Sequence, residues 1–267
     1  MFKANDGYGT AHRQASSELI VEYILDKVCL NNNLRPKEIM NDYQMEFGVT
    51  ISYKKAHITR EMTLRIVRGS YEDFFKLLPL YCVESKLMNL GNVTNIETFD
   101  DDRFRRLFWA FAPSIYVFTL SLRPMIAVDG SHLRGKYPGV LLVAVTLDGN
   151  HKLFPIAFAF AEAERRDSWE WFLANVSLSL GEPTNLTIVS DQQKGLVPAL
   201  ANVMPTATHC YCCCHLAENI KSRFNDLIIV KKFWCAAKAY RACEHVAFME
   251  DIKAVNIEAY NYIHAFG

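Results

Sequence analysis

Between residues 124 and 212 five apolar runs of strand length follow one another, and their order restricts the fold more than any other feature of the chain. The runs are 124–129, 139–147, 153–161, 185–191 and 207–212. The first three are consecutive, and Asp148-Gly149 between the second and third is a strong hairpin signal. A helix is then expected over 167–181, with Asp167 or Ser168 at its cap and Gly181 at its end. The run "NLTIVSD" comes next and is apolar enough for burial on both faces. "KGLVPALANVM" reads as a helix, "ATHCYC" as the fifth strand, and 216–267 as helical throughout. The order β-β-β-α-β-α-β-α predicts an α/β fold on a five-stranded mixed sheet: an antiparallel half followed by crossover units.

The upstream part is mostly helical. "SSELIVEYILDKVCL" carries Leu19, Ile20, Tyr23, Ile24 and Val28 at helical spacing. A helix over 36–46, a turn at Phe47-Gly48 and a helix from about Ser52 make a helix-turn-helix candidate. From Leu34 to Ser70 seven Lys/Arg face four Asp/Glu, so a plain helical packing unit is an equal reading. A further helix, "GSYEDFFKLLPLYCVESKLMNL", is expected to break near Pro79. A strand over 93–98 precedes Asp100, Asp101 and Asp102, which suit the N-terminus of a helix over about 101–112 better than they suit a metal.

Two of the core strands end in a carboxylate: "MIAVD" at Asp129 and "TIVSD" at Asp191. Ligands of open α/β sheets gather at strand ends. If these two strands are neighbours, the acids face each other, and a divalent cation between them relieves the repulsion. Hard oxygen donors select Mg²⁺ or Mn²⁺, and a pair of such ions is the standard device for phosphodiester chemistry. Asp-Gly and Ser-Asp are also ordinary turn pairs, so spacing alone leaves both readings open. The strand order, however, is that of the ribonuclease H-like fold, in which acids on the first and fourth strands hold the metals.

Here the chain resembles a known family. "PMIAVDGSHLRGKYPGVLLVAVTLDGNHKLFPIAFAFAEAERRDSWEWF", "LTIVSDQQKGL" and "ATHCYCCCHLAENIK" resemble the core blocks of the Mutator-like element (MULE) transposases of plants, the MuDR group and its domesticated relatives. "RPKEIM", "ISYKKA", "LLPLYC" and "RFRRLFWAF" resemble the region that precedes that core. The resemblance implies a DDE-type transposase fold and carries the first two acids onto Asp129 and Asp191. The family's third acid, a Glu, lies beyond a helical insertion, and this chain stops at Gly267 inside that insertion. A fragment or decayed copy of a longer transposase is expected, inactive alone. Glu218 and Glu250 are weighed as substitutes and read better as solvated positions. Gln192 stands where the family commonly has Arg. The implied organisation is a disordered tail over 1–15, a helical region over 16–122, the ribonuclease H-like core over 123–220, and an incomplete helical insertion over 221–267. The helices of that insertion are expected to lack partners for their apolar faces, with aggregation as the consequence.

Four of the eight cysteines crowd into "HCYCCCHL". Irregular spacing argues for free or metal-bound thiols rather than a disulfide framework. Cys212 and His215 match the family's Cys-x-x-His element and are candidate Zn²⁺ ligands, with His209 or Cys214 as a third; a buried strand end with Cys as a small apolar residue is the alternative. From Lys221 to Arg241 six Lys/Arg face one Asp. Lys221, Arg223, Lys231 and Lys232, with Arg134 and Lys136 after the first acid, are the candidate DNA contacts. The 29 basic and 29 acidic residues balance, which excludes neither a local basic patch nor a nucleic-acid partner. No apolar run reaches the ~20 residues that span a bilayer. The expected partners are DNA, as transposon ends, and further copies of the chain; the expected site of action is the nucleus. A domesticated, non-catalytic DNA-binding or transcription-regulating protein is the alternative function, and a non-functional relic the third.

Overall fold

The structure is a computed structural model that describes residues 15–69, 71–101, 103–134, 137–181 and 183–266. Residues 1–14 of the expected tail, Asp102 and Lys136 lie outside the described residues. The chain divides into two compact units, Met1–Tyr81 and Cys82–Gly267.

The first unit holds α1 (Ser17–Leu30), α2 (Pro36–Phe47) and α3 (Tyr53–Arg68). Each starts where the chain supplies a helix-starting group. Ser16 Oγ accepts from Leu19 N and Ser52 Oγ from Lys55 N, while α2 opens on Pro36. Gly48 closes α2 at φ 66°, a conformation that costs Gly nothing. Ile20, Ile24 and Val28 of α1 meet Ile39 and Tyr43 of α2, Ile51 of the turn, and Ala56 and Leu64 of α3 in one core. α4 (Tyr71–Met88) crosses the division between the units. Pro79 sits inside it without ending it, contrary to expectation. One missing N–H is tolerated where helix-forming Leu-rich turns flank it on both sides.

The second unit is built on a mixed sheet of seven strands, not five. They are β1 (Val93–Thr98), β2 (Phe104–Ala110), β3 (Met125–Leu133), β4 (Gly139–Leu147), β5 (Leu153–Ala161), β6 (Thr187–Ser190) and β7 (Thr208–Tyr211), in the order β1-β2-β5-β4-β3-β6-β7. β3 to β7 are the five expected strands. β1 is the strand expected over 93–98; with β2 it forms a hairpin that pairs antiparallel with β5 through β2 and so extends the sheet to seven strands. The expected helix over 101–112 is β2 instead. Its residues Leu107 to Ala110 are all buried, and a surface helix cannot bury four consecutive side chains. Asp101 caps no helix; its carboxylate takes Arg103 N and Nε in the turn. α5 (Ala112–Ser121) follows and leads into β3. In the β4–β5 turn Asp148 Oδ1 accepts from Asn150 N and Lys152 N, and His151, not Gly149, takes the left-handed conformation at φ 59°.

The core lies between the sheet and α6 (Arg166–Leu180), with α7 (Leu196–Val203) beside it. Trp169, Phe172, Leu173 and Val176 of α6 are all but inaccessible and pack with Phe108, Ile126, Leu142 and Ile188 of the sheet. Neither Asp167 nor Ser168 caps α6: the N-cap is Arg165, two residues before Asp167, and Ser168 is wholly buried. Gly181 ends it at φ 70°, as expected. α8 (Cys213–Phe224), α9 (Leu227–Ala237), α10 (Ala242–Val255) and α11 (Ile257–His264) complete the unit. Their apolar faces do not lack partners. Leu216, Ile220, Ile229, Phe233, Ile252 and Ile263 close into a second core.

Candidate functional site

β3 and β6 are parallel neighbours, with Met125 opposite Thr187, Ile126 opposite Ile188 and Ala127 opposite Val189. Carried two steps beyond the last paired residues, the same register leads to Asp129 on β3 and to Asp191, the residue directly after β6. Val128 and Ser190 turn into the core; Asp129 is exposed and Asp191 half-buried at the sheet edge. Each carboxylate is anchored by the backbone that follows it. Asp129 Oδ1 accepts from Gly130 N at 2.8 Å and Asp191 Oδ1 from Gln193 N at 3.0 Å.

The structure adds a third carboxylate that the sequence reading passed over. Glu164, between β5 and α6, lays its side chain against the backbone of Gly130. A Cβ on residue 130 would stand 2.8 Å from Glu164 Oε1, so any side chain there would make the Glu164 carboxylate shift. Only 15% of the Glu164 side chain is exposed, and its Oε2 lies 3.9 Å from His132 Nε2. Burial, and then the negative charges of Asp191 and Asp129, hold the Glu164 carboxyl above the ordinary range; His132 pulls the other way. The Trp169 indole N–H adds a weaker pull in the same direction as His132. We read it as a long-range one, because Nε1 has no partner within hydrogen-bond geometry. No spacing between acids singles out Glu164; only the approach of its loop to Gly130 does.

Two glutamines tie this corner together. Gln193 Nε2 donates to the Glu164 carbonyl, and its Oε1 accepts from Gly195 N and Leu196 N at the start of α7. Gln192, standing at the family's Arg position, accepts at Oε1 from Asn219 Nδ2 of α8 and from the Tyr262 hydroxyl of α11. The residue after Asp191 is thus held by the C-terminal helices. Gly195 lets the 191–195 loop close on α6: a Cβ there would stand 2.8 Å from Arg166 N, a backbone atom that cannot step aside. Gly195→Ala is therefore expected to lower the unfolding free energy by about 1–3 kcal/mol, the range for overpacking. Urea titration followed by circular dichroism reads it, and an unchanged midpoint would show that the loop yields freely.

The zinc candidates come only partly together. Cys212 is the N-cap of α8 and His215 lies in its first turn, with Nδ1 buried and unpartnered. His209 does not join them, because its Nε2 is 2.8 Å from Ser190 Oγ and burial lowers its pKa. Cys214 is exposed. Among the described residues no three His, Cys, Asp or Glu side chains already converge on one ion-sized point, at this end of the sheet or elsewhere.

The basic candidates divide. Arg134, Lys221 and Lys231 are exposed. Lys232 is bound to Asp251 at 2.7 Å, and Arg223 is stacked on Phe224 and Tyr262, so these two serve the helical core first. Lys136 lies outside the described residues. Glu218 is exposed and Glu250 pairs with Lys253, as befits surface positions.

Residues 125–219, the stretch that carries β3 to β7, both aspartates and Glu164, match the family description "MULE transposase domain". The chain carries a MULE transposase domain. The chain is 27% identical to Protein FAR-RED IMPAIRED RESPONSE 1 of Arabidopsis thaliana over 135 residues, 50% of this chain and 16% of that protein. It is 26% identical to Protein FAR1-RELATED SEQUENCE 6 of the same plant over 179 residues, 67% of this chain and 24% of that protein. Protein FAR1-RELATED SEQUENCE 4 is 24% identical over 151 residues, 53% and 20% respectively. The chain thus spans a quarter or less of the curated relatives it matches. The MULE domain ends within α8, so α9 to α11, which hold Gln192 through Tyr262, lie outside the matched stretch.

Proposed function

We propose that this is a transposase-derived, nuclear, DNA-binding protein whose MULE domain keeps a divalent-cation site of the DDE type. The observation that carries the reading is the parallel pairing of β3 with β6, two strands that lead into Asp129 and Asp191 at the same end of the sheet. The order β5-β4-β3-β6-β7 at the centre of the sheet supports a ribonuclease H-like core, with the acids on its first and fourth strands. The fit to Mg²⁺ or Mn²⁺ rests on the donors: three carboxylates share one corner, with the Glu164 carboxylate lying against Gly130. Asp129 and Asp191 would hold the ion, and Glu164, after a rotamer change, would close on it from the β5–α6 loop. When bound, such ions activate an attacking oxygen and stabilise a leaving one in phosphodiester chemistry. The residues themselves do the placing. Gly130 N and Gln193 N fix one oxygen of each aspartate, and among the described residues no hydrogen bond engages the other. Gln193 holds the Glu164 backbone to the same loop, and His132 faces the Glu164 carboxylate.

Calorimetric titration of the full chain with Mn²⁺, beside Asp129→Ala/Asp191→Ala and Glu164→Gln, tests the reading. Binding to the parent chain that is absent in the double variant is the expected result. Equal heats from all three would mean that the acids merely terminate strands, and the cation site would be abandoned.

A second reading keeps the DNA and drops the chemistry: a domesticated protein that binds DNA or regulates transcription without cutting it. It is favoured by the unassembled state of the donors, since no three of them converge among the described residues. Under this reading the chain binds duplex DNA equally well with and without Mn²⁺.

A further inference from the structure

The first unit is a folded helix-turn-helix whose third helix presents a clean face. α2 ends at Gly48, residues 48–52 turn, and Ser52 caps α3. Ala56, Thr59, Thr63 and Leu64 of α3 are buried. On the opposite side, at i, i+3, i+4, i+7, i+11 and i+14 spacing, lie Lys54, His57, Ile58, Glu61, Arg65 and Arg68. At 100° per residue these six fall within about one-third of the helix circumference. The acid among them, Glu61, is already paired with Arg60. Lys54, Arg65 and Arg68 are exposed and take part in no ion pair among the described residues. Exposed Ile58 and the stacked Tyr53–His57 pair sit near the capped end. The remaining basic residues of the helix are tied inward: Arg60 Nε donates to the Leu34 carbonyl and Lys55 Nζ to the Ala15 carbonyl. The chain thus sorts its α3 cations into two that brace the unit and three that face outward on one stripe.

We propose that α3 is a DNA-recognition helix that enters the major groove, with Lys54, Arg65 and Arg68 on phosphates and His57 and Ile58 toward base edges. The occupant follows from charge and shape. A capped helix with cations along one face and an apolar, hydrogen-bonding N-terminal half matches duplex DNA, whose major groove admits one helix. The inference rests on the DNA-binding reading above but assigns the contact to named residues of α3, in addition to the candidates Arg134, Lys136, Lys221, Arg223, Lys231 and Lys232.

The test is fluorescence anisotropy of a labelled random-sequence 25-base-pair duplex with the full chain, titrated across salt. The comparison is between the parent, Lys54→Ala/Arg65→Ala/Arg68→Ala, and Lys221→Ala/Lys231→Ala. If α3 lies on DNA, the triple variant binds about 10- to 100-fold more weakly, and its log–log salt slope falls by about 3. All three positions are on the surface, so circular dichroism should show the parent's helix content and melting. A triple variant with the parent's affinity and slope overturns the α3 assignment while leaving DNA binding intact. A parent chain that binds no duplex at low salt overturns both. Poly-glutamate that competes as well as unlabelled duplex would make the partner an acidic protein surface and also overturn the proposal.

Discussion

Glu164→Gln is expected to move stability in opposite directions with and without a divalent cation. In the metal-free chain the substitution stabilises. The Glu164 carboxyl titrates above its ordinary value, so its ionisation costs the folded state more than the unfolded one. Stability is therefore full below the ordinary carboxylate range and declines as pH rises through the folded-state value; glutamine removes that decline. Relief of strain at a charged site is worth on the order of 1 kcal/mol, or about 2–4 °C in Tm. With Mn²⁺ the balance reverses. A ligand at a hundredfold excess over its dissociation constant adds about 2.7 kcal/mol to the parent, a Tm gain of about 5–10 °C. Glu164→Gln loses a large part of that gain, and Asp129→Ala/Asp191→Ala all of it. Differential scanning fluorimetry at pH 7 with and without Mn²⁺ reads both effects. Trp169, close to Glu164, gives an independent signal through its emission. If Glu164→Gln melts below the parent without metal, the like-charge crowding is not what the carboxylates contribute, and the corner is structural.

Much of this site could be read from the chain because its evidence is local. An apolar strand that ends in Asp announces itself, and β3 to β7 fell within a few residues of the expected positions. Their pairing followed from element order, since three consecutive strands must form hairpins and the next must cross over. β2 failed for the opposite reason. "DDDRFRRLFWAF" offers acids at the start and apolar residues behind them, a helix-like local pattern. Its burial is decided by β5, some 50 residues further on, which pairs with Leu107 to Ala110. Glu164 was invisible for a similar reason. It stands in a charged loop, "EAERRD", and only the approach of that loop to Gly130 distinguishes it from Glu162. Glu162 spends its carboxylate on Arg105 and Arg165 instead. Gln192 likewise acquires meaning only when α8 and α11 arrive at it.

Trp169→Ala is expected to have the largest effect on stability, because it removes the biggest fully buried side chain of the sheet-facing helix. Truncating a buried Trp costs about 3–5 kcal/mol, transfer and cavity together. A domain with a total of roughly 5–15 kcal/mol has little left after that. The ring packs edge-on against Phe172 at 5.9 Å and sits within the cluster that joins α6 to the sheet, so collapse around the cavity is constrained from both sides. The loss also reaches the site, since Glu164 lies five residues ahead on the same entry into α6 and shares that corner with the indole. Phe233→Ala separates the two consequences. It opens a comparable hole in the helical core of α8 to α11, away from Glu164, and is expected to destabilise by about the same range. Urea unfolding of both variants, followed by Mn²⁺ titration below their midpoints, gives the comparison. Weakened cation binding in Trp169→Ala, against parent-like binding in Phe233→Ala, means that the packing of α6 sets the third carboxylate. Equal binding in the two variants means that Gly130 and Gln193 position Glu164 without help from the core.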